Sequence, residues 1–131
     1  MGAFGGVRAL AHQVPTVLQV MDRVVELLEP VFPGRVALDV KDVNPPGLLL
    51  QPPLLRFRFA EGTYAIEHTL LIVASNTTRR VALDDLGVMV QQAQAALDNR
   101  AVTARPVDVW NQDNTAILAG YELTWTDSVR R

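Results

Sequence analysis

Apolar residues recur with a helical period early in the chain. Val17, Met21, Val24, Leu28 and Val31, with Leu18 and Val25 beside them, follow an i, i+3, i+4, i+7 stripe, while Asp22, Arg23, Glu26 and Glu29 occupy much of the remaining circumference. The pattern predicts one amphipathic helix, with Pro15 in its first turn and Pro30 and Pro33-Gly34 ending it. The period then falls to two. Val36, Leu38 and Val40 alternate with Ala37, Asp39 and Lys41, which predicts a short strand with one wet face.

Residues 43–53, VNPPGLLLQPP, break both periods, because four of the eight prolines bracket Leu48, Leu49 and Leu50. Proline cannot donate to a ladder and pushes the residue before it toward extended geometry, so the segment is expected to be an irregular extended loop or an edge strand. Three adjacent leucines there need cover. Either they fold back over the protein's own core or they insert against a neighbouring subunit.

Leu55, Phe57 and Phe59 alternate with Arg56 and Arg58 as a second strand, and Glu61-Gly62 is a hairpin signal. The stretch from Tyr64 to Ser75 contains no proline or glycine. Tyr64, Ile66, His68, Leu70, Ile72 and Ala74 share one of its faces, and Leu71 and Val73 enrich the other late in the run, which places it centrally in a sheet. A polar cluster from Asn76 to Arg80 ends it. Asp84 and Asp85 are then expected to cap a helix whose stripe is Leu86, Met89, Val90, Ala93 and Leu97, with Asp98-Asn99 as its stop. Val107 to Trp110, a polar turn at Asn111 to Asn114, and the alternating run from Ile117 to Trp125 predict a terminal β-hairpin. The sum is an α+β fold: one domain over residues 14–127, a mostly antiparallel or mixed sheet of about four to five strands and two main helices. Residues 1–13 are expected to be a frayed or partner-dependent arm, and 128–131 a tail.

Composition changes this picture little. The 131 residues suit a single core, and the 49% apolar content with only 20% charged residues leaves an apolar surplus that a partner would cover. A net charge of −2 argues against non-specific capture of nucleic acid, which requires a basic surface. Cysteine is absent, which excludes disulfides, thiolate nucleophiles and zinc–thiolate sites. Residues 1–6 lack the basic and apolar regions of a signal peptide, no run approaches a membrane span, and Gly2 lacks the myristoylation pattern; no export or membrane partner is expected. Asn76-Thr77-Thr78 fits the glycosylation formula but has no secretory context.

The titratable residues do not assemble into a catalytic pattern. His68 and Glu67 point to opposite faces of their strand, His12 lies in the arm, and two isolated histidines make poor zinc ligands. Asp84-Asp85 reads as a helix start, and Asp108, Asn111 and Asp113 lack the glycine and distal glutamate of a calcium loop. There is no G-x-S-x-G elbow and no phosphate-binding glycine motif. Arg56, Arg58, Arg79 and Arg80 form an anion patch only if their strand and turn are adjacent; otherwise they are a solvated face. No catalytic residue, metal or cofactor is expected.

The order of elements from about Val36 to Trp125 resembles the tail terminator proteins of long-tailed bacteriophages. The residues that carry the likeness are the VALDV strand with its proline-rich sequel, the apolar strand IEHTLLIVAS, the helix VALDDLGVMVQQAQAAL, and the closing strand with Tyr121 and Trp125. The resemblance implies a virion structural protein that forms a ring, usually a hexamer, on the head-proximal end of the tail tube, ending tube growth and providing the head-joining surface. It implies as partners the chain itself, the major tail tube protein and a head–tail connector or stopper, with DNA only passing through the lumen. The resemblance implies no catalytic residues. The expected assembly contacts are Leu48, Leu49, Leu50, Pro52, Pro53, Arg56, Arg58, Arg79 and Arg80, together with exposed sheet edges. Another head–tail joining protein is the alternative in the same setting. A small-ligand-binding regulatory domain with the arginines as its anion site is the alternative from a different class, and an enzyme comes third.

Overall fold

The computed structural model describes residues 16–58, 63–75, 78–98, 101–110 and 116–130. Within them the chain forms helix α1 (Val17–Leu28), strand β1 (Val36–Ala37), a 3-10 turn (Val40–Asp42), strands β2 (Gly47–Arg58) and β3 (Thr63–Val73), helix α2 (Arg79–Ala96), and strands β4 (Thr103–Trp110) and β5 (Ile117–Arg130). The five strands form one sheet in the order β1-β2-β3-β5-β4. Only β1 and β2 run parallel; the remaining pairs are antiparallel. The fold is a single-domain α+β, with β3 at the centre of a mixed sheet.

α1 starts where Thr16 and Gln19 close a capping box: the Thr16 hydroxyl accepts from the Gln19 amide at 3.1 Å, and the Thr16 amide donates to the Gln19 side chain at 2.8 Å. Pro15 and the expected arm at 1–13 lie outside the described residues. The buried side is Val20, Met21, Val24 and Leu28, so the stripe is rotated from the expected one, and Val17 and Val31 are exposed. Pro30 cannot continue the helix. Gly34 turns the chain at φ +68°, its amide donating to the Glu29 carboxylate at 2.6 Å.

Three expectations change here. The strand expected over 36–41 stops at Ala37, because Asp39 accepts from the Lys41 amide at 3.2 Å and draws the backbone into the 3-10 turn. Helix α2 starts five residues before Asp84, with Thr78 as N-cap, so the paired acids sit on its exposed side and do not cap it. Strand β5 continues to Arg130, whose partner is Thr63, so residues 128–130 are strand where a tail was expected.

The leucine segment departs furthest from an irregular loop. Strand β2 runs through Leu48, Leu49 and Leu50 and on past both prolines. Its register against β3 shifts between Gln51 and Leu54: Gln51 faces Thr69 and Leu54 faces Glu67, leaving Pro52 and Pro53 opposite His68 alone. A bulge absorbs the residues that cannot donate, and it reverses the side-chain alternation, so that Leu50 and then Leu55 face the helices. Leu48 and Leu50 are fully buried against Leu70, Ile72 and the helices, and Leu49 is buried on the opposite face with Ala37, Val43 and Val73. Of the two alternatives open for these leucines, the protein's own core takes them. The interface role expected for Leu48 and Leu50 is corrected accordingly, while Leu49 lies on the face that the helices leave open.

Both helices lie on one face of the sheet. Met21, Val24 and Leu28 from α1, and Ala82, Leu86 and Ala93 from α2, pack with Leu48, Leu50, Leu70, Ile72, Leu123 and Trp125. α2 runs antiparallel to β3, since Leu97 at its end meets Ile66 and His68. The opposite face has no helix layer. Among the described residues the 38–46 segment crosses it, at the end where β3 reaches Val73.

Candidate functional site

The 38–46 segment is held over the uncovered face by its neighbours. The Arg35 guanidinium donates to the Pro46 carbonyl at 3.0 Å, the Arg35 carbonyl accepts from the Leu48 amide at 2.9 Å, and the 3-10 turn closes through Val43 N to Val40 O at 3.3 Å. Val43 drops onto Ala37, Leu49, Val73 and Leu118 as a second, smaller core. Beside it Gly120 lies so close to β3 that a Cβ would stand 2.7 Å from the Ile72 carbonyl oxygen and 3.2 Å from a Val109 methyl. The missing side chain lets Val107 and Val109 lean over the strand.

Between the segment and the end of β4 remains a groove of about 750 Å³. Its floor is Leu49, Leu71, Val73 and Leu118; one wall is Val40, Val43 and Pro45, the other Val109 and Trp110. The polar lining is Lys41, Asp42, Asn44 and Gln51, and no histidine, serine or threonine is found among the described lining residues. Val40 and Trp110 at the rim are exposed, Trp110 by 56%. Chemically this is a mostly apolar surface, whose charged groups among the described lining residues are Lys41 and Asp42 at the 3-10 turn.

A second cavity of about 290 Å³ lies on the helix side, lined by Val20, Val24, Leu27, Ile66, Leu97, Trp125 and Asp127 around His68. Nε2 of His68 stands 3.2 Å from Oδ2 of Asp127, and its ring stacks on Trp125 at 5.0 Å with 21° between planes. Glu67 lies on the other face, as the alternation implied. Asp127 continues the face of β5 that carries Leu123 and Trp125, and the alternation of that strand brings it to His68. The Trp125 indole nitrogen is buried with no hydrogen-bond partner among the described residues.

The arginines do not converge. Arg56 pairs with Ala65 near the start of β3, whereas Arg79 and Arg80 open α2 beyond its end at Val73. Eight strand residues, roughly 26 Å at about 3.3 Å each, separate the two places. The backbone of Arg58 pairs with Thr63, still farther from α2. Arg56, Arg79 and Arg80 are exposed, as are Pro52 and Leu54 on the bulge. Arg105 instead meets Glu122 across β4 and β5 at 2.7 Å.

No protein-family model matches the chain, and no curated protein matches it either. The described residues bring together no group of three or more histidine, aspartate or glutamate side chains able to hold a metal ion. No helix among them is long and apolar enough to cross a membrane. The feature taken forward is the groove of about 750 Å³, a mostly apolar concavity on the face that the two helices leave open.

Proposed function

We propose that the chain is a ring-forming virion assembly protein of the tail terminator kind, which caps the head-proximal end of a phage tail tube, ends its growth and presents the surface for head joining. The observation that carries the reading is the two-layer build with one face left open. Helix, short strand, proline-bracketed segment, long hairpin, helix and terminal hairpin follow one another in the order on which the resemblance rests. They leave an apolar groove with exposed Val40 and Trp110 at its rim, a surface of the type that an oligomer covers. The ligand-binding alternative needed the arginines as one anion site, and the sheet holds Arg56 apart from Arg79 and Arg80. The interface residues kept by this reading are Arg79, Arg80 and Leu49, the last as part of the floor of the groove, which takes the place of Leu48 and Leu50.

The test is assembly on a tail tube. Purified protein is added to growing tubes of major tail tube protein, and tube length is followed by electron microscopy while native mass spectrometry reports the protein's own mass. The expected result is shortened tubes bearing a ring at one end. Tubes that grow to unchanged length, together with a strict monomer at high concentration, exclude the reading. A stopper would bind finished tails without arresting growth.

A further inference from the structure

We propose that the groove receives helix α2 of a second copy of this chain, with Val81, Val88 and Ala95 as the inserted stripe. The proposal rests on the ring reading above and supplies the contact that such a ring needs.

Among the described residues the stripe takes no part in the core. The core side of α2 is Ala82, Leu86 and Ala93; Val81, Val88 and Ala95 lie on the opposite side, each seven residues from the next and therefore in line along the axis. Val81 and Val88 are 49% and 52% exposed. The row is convex and apolar, and the groove is concave and apolar.

Charge points the same way. The first turn of α2 carries Arg79 and Arg80 without an acidic residue, and the Thr78 side chain makes no capping hydrogen bond. A helix N-terminus is the positive end of the macrodipole, so two cations there are disfavoured within one molecule. The rim of the groove offers the complement. Its 3-10 turn carries exposed Asp42 beside Val40, and Asp39, the N-cap of the turn, lies 4.0 Å from the Lys41 amine, so the balance of charge at this rim is negative. Docking the first half of α2 there brings carboxylates to the arginines and methyl groups to the apolar floor.

Strand addition does not compete with this docking. On β2 the stretch beyond the two residues paired with β1 carries Pro52 and Pro53, and the middle of β4 carries Pro106. Proline at an edge removes a donor and discourages another strand from pairing. Association therefore proceeds through faces. The groove and α2 lie on opposite faces of the sheet, so the contact joins unlike patches, and each copy keeps one of each for the next. Such a heterologous contact generates a ring when the rotation closes.

Two variants test it. Val88→Arg puts a cation into the stripe, four residues after Asp84, a spacing that favours the helix; Trp110→Arg does the same at the exposed groove wall. Each variant alone is expected to weaken assembly by about tenfold or more while keeping the wild-type circular dichroism. Mixed one to one, they are expected to form a heterodimer and stop, since the intact groove of the first meets the intact helix of the second. Trp110 and Trp125 are the two tryptophans, one exposed and one buried, so tryptophan emission shifts to the blue on wild-type assembly and stays in place for Val88→Arg. A Val88→Arg protein that still forms the wild-type ring overturns the proposal and leaves the ring reading standing. So do two folded variants that fail to pair. A wild-type protein that stays monomeric at every concentration, with and without tail tubes, overturns both. If Trp110→Arg does not fold, Val40→Arg at the exposed rim takes its place.

Discussion

Nε2 of His68 on β3 lies 3.2 Å from Oδ2 of Asp127 on β5, joining a histidine that is 1% exposed to a carboxylate that is 34% exposed. A carboxylate only accepts, so the ring nitrogen donates. Between Ile66 and Leu70 on the helix face, the imidazole is held by the Nε2 contact to Asp127 and by the packing of its plane on Trp125.

Removing the acceptor is therefore expected to cost stability. Asp127→Ala should lower the unfolding free energy by about 1–3 kcal/mol, and Asp127→Asn, which keeps an oxygen in place, should recover most of the loss. Urea denaturation of both variants measures it; an Asp127→Ala midpoint equal to wild type would show that the contact does not hold His68.

The leucines separate core from surface within one strand. Leu50→Ala is expected to destabilise by about 2–5 kcal/mol, since Leu50 is fully buried in the core between the sheet and the helices. Leu54→Ala, at a side chain half exposed beyond the bulge, should change stability by about 0.5 kcal/mol or less. Equal losses at the two positions would contradict the register shift. Replacing Leu48, Leu49 and Leu50 together with serine should abolish the fold, visible as loss of the circular dichroism spectrum.

The double proline of β2 guards an open edge. Pro52→Thr with Pro53→Val restores two backbone donors to a stretch that lies beyond the reach of β1, and the variant is expected to associate nonspecifically as concentration rises. Light scattering of the variant beside wild type reports this. Identical scattering would mean that the bulge geometry alone protects the edge.

The arginines that open α2 should trade stability against assembly. Arg79→Glu and Arg80→Glu each place an anion at the positive helix end and should raise stability by about 0.3–1 kcal/mol. The same changes should weaken ring formation, because they set acids against Asp39 and Asp42 of the neighbouring copy. Thermal melting and native mass spectrometry together read the two signs; a fall in both, or a rise in both, would separate the arginines from the contact.

Much of the architecture follows from local periods. The stripe of α1, the unbroken run of β3 and the alternation of β4 and β5 each require particular partners for their apolar sides, so the α+β class and the central place of β3 could be read from spacing. Boundaries were harder where a side chain competes with the backbone. Asp39 ended β1 early, and Arg79 to Leu83 joined α2 without the acidic start that usually signals a helix.

The sequence by itself determined which stretches are helical or extended and which of their residues are apolar, because backbone geometry repeats with a fixed period that side chains must match. Only the tertiary structure decided where those residues go. The bulge at Pro52 and Pro53 turned Leu50 inward and placed Leu48 to Leu50 in the core, the antiparallel course of α2 separated Arg79 and Arg80 from Arg56, and the crossing of β5 beside β3 brought Asp127 to His68. The groove exists because both helices pack on one side of the sheet. Strand alternation gives a sheet two apolar faces without stating which one the helices cover, and that choice depends on contacts between residues far apart in the chain.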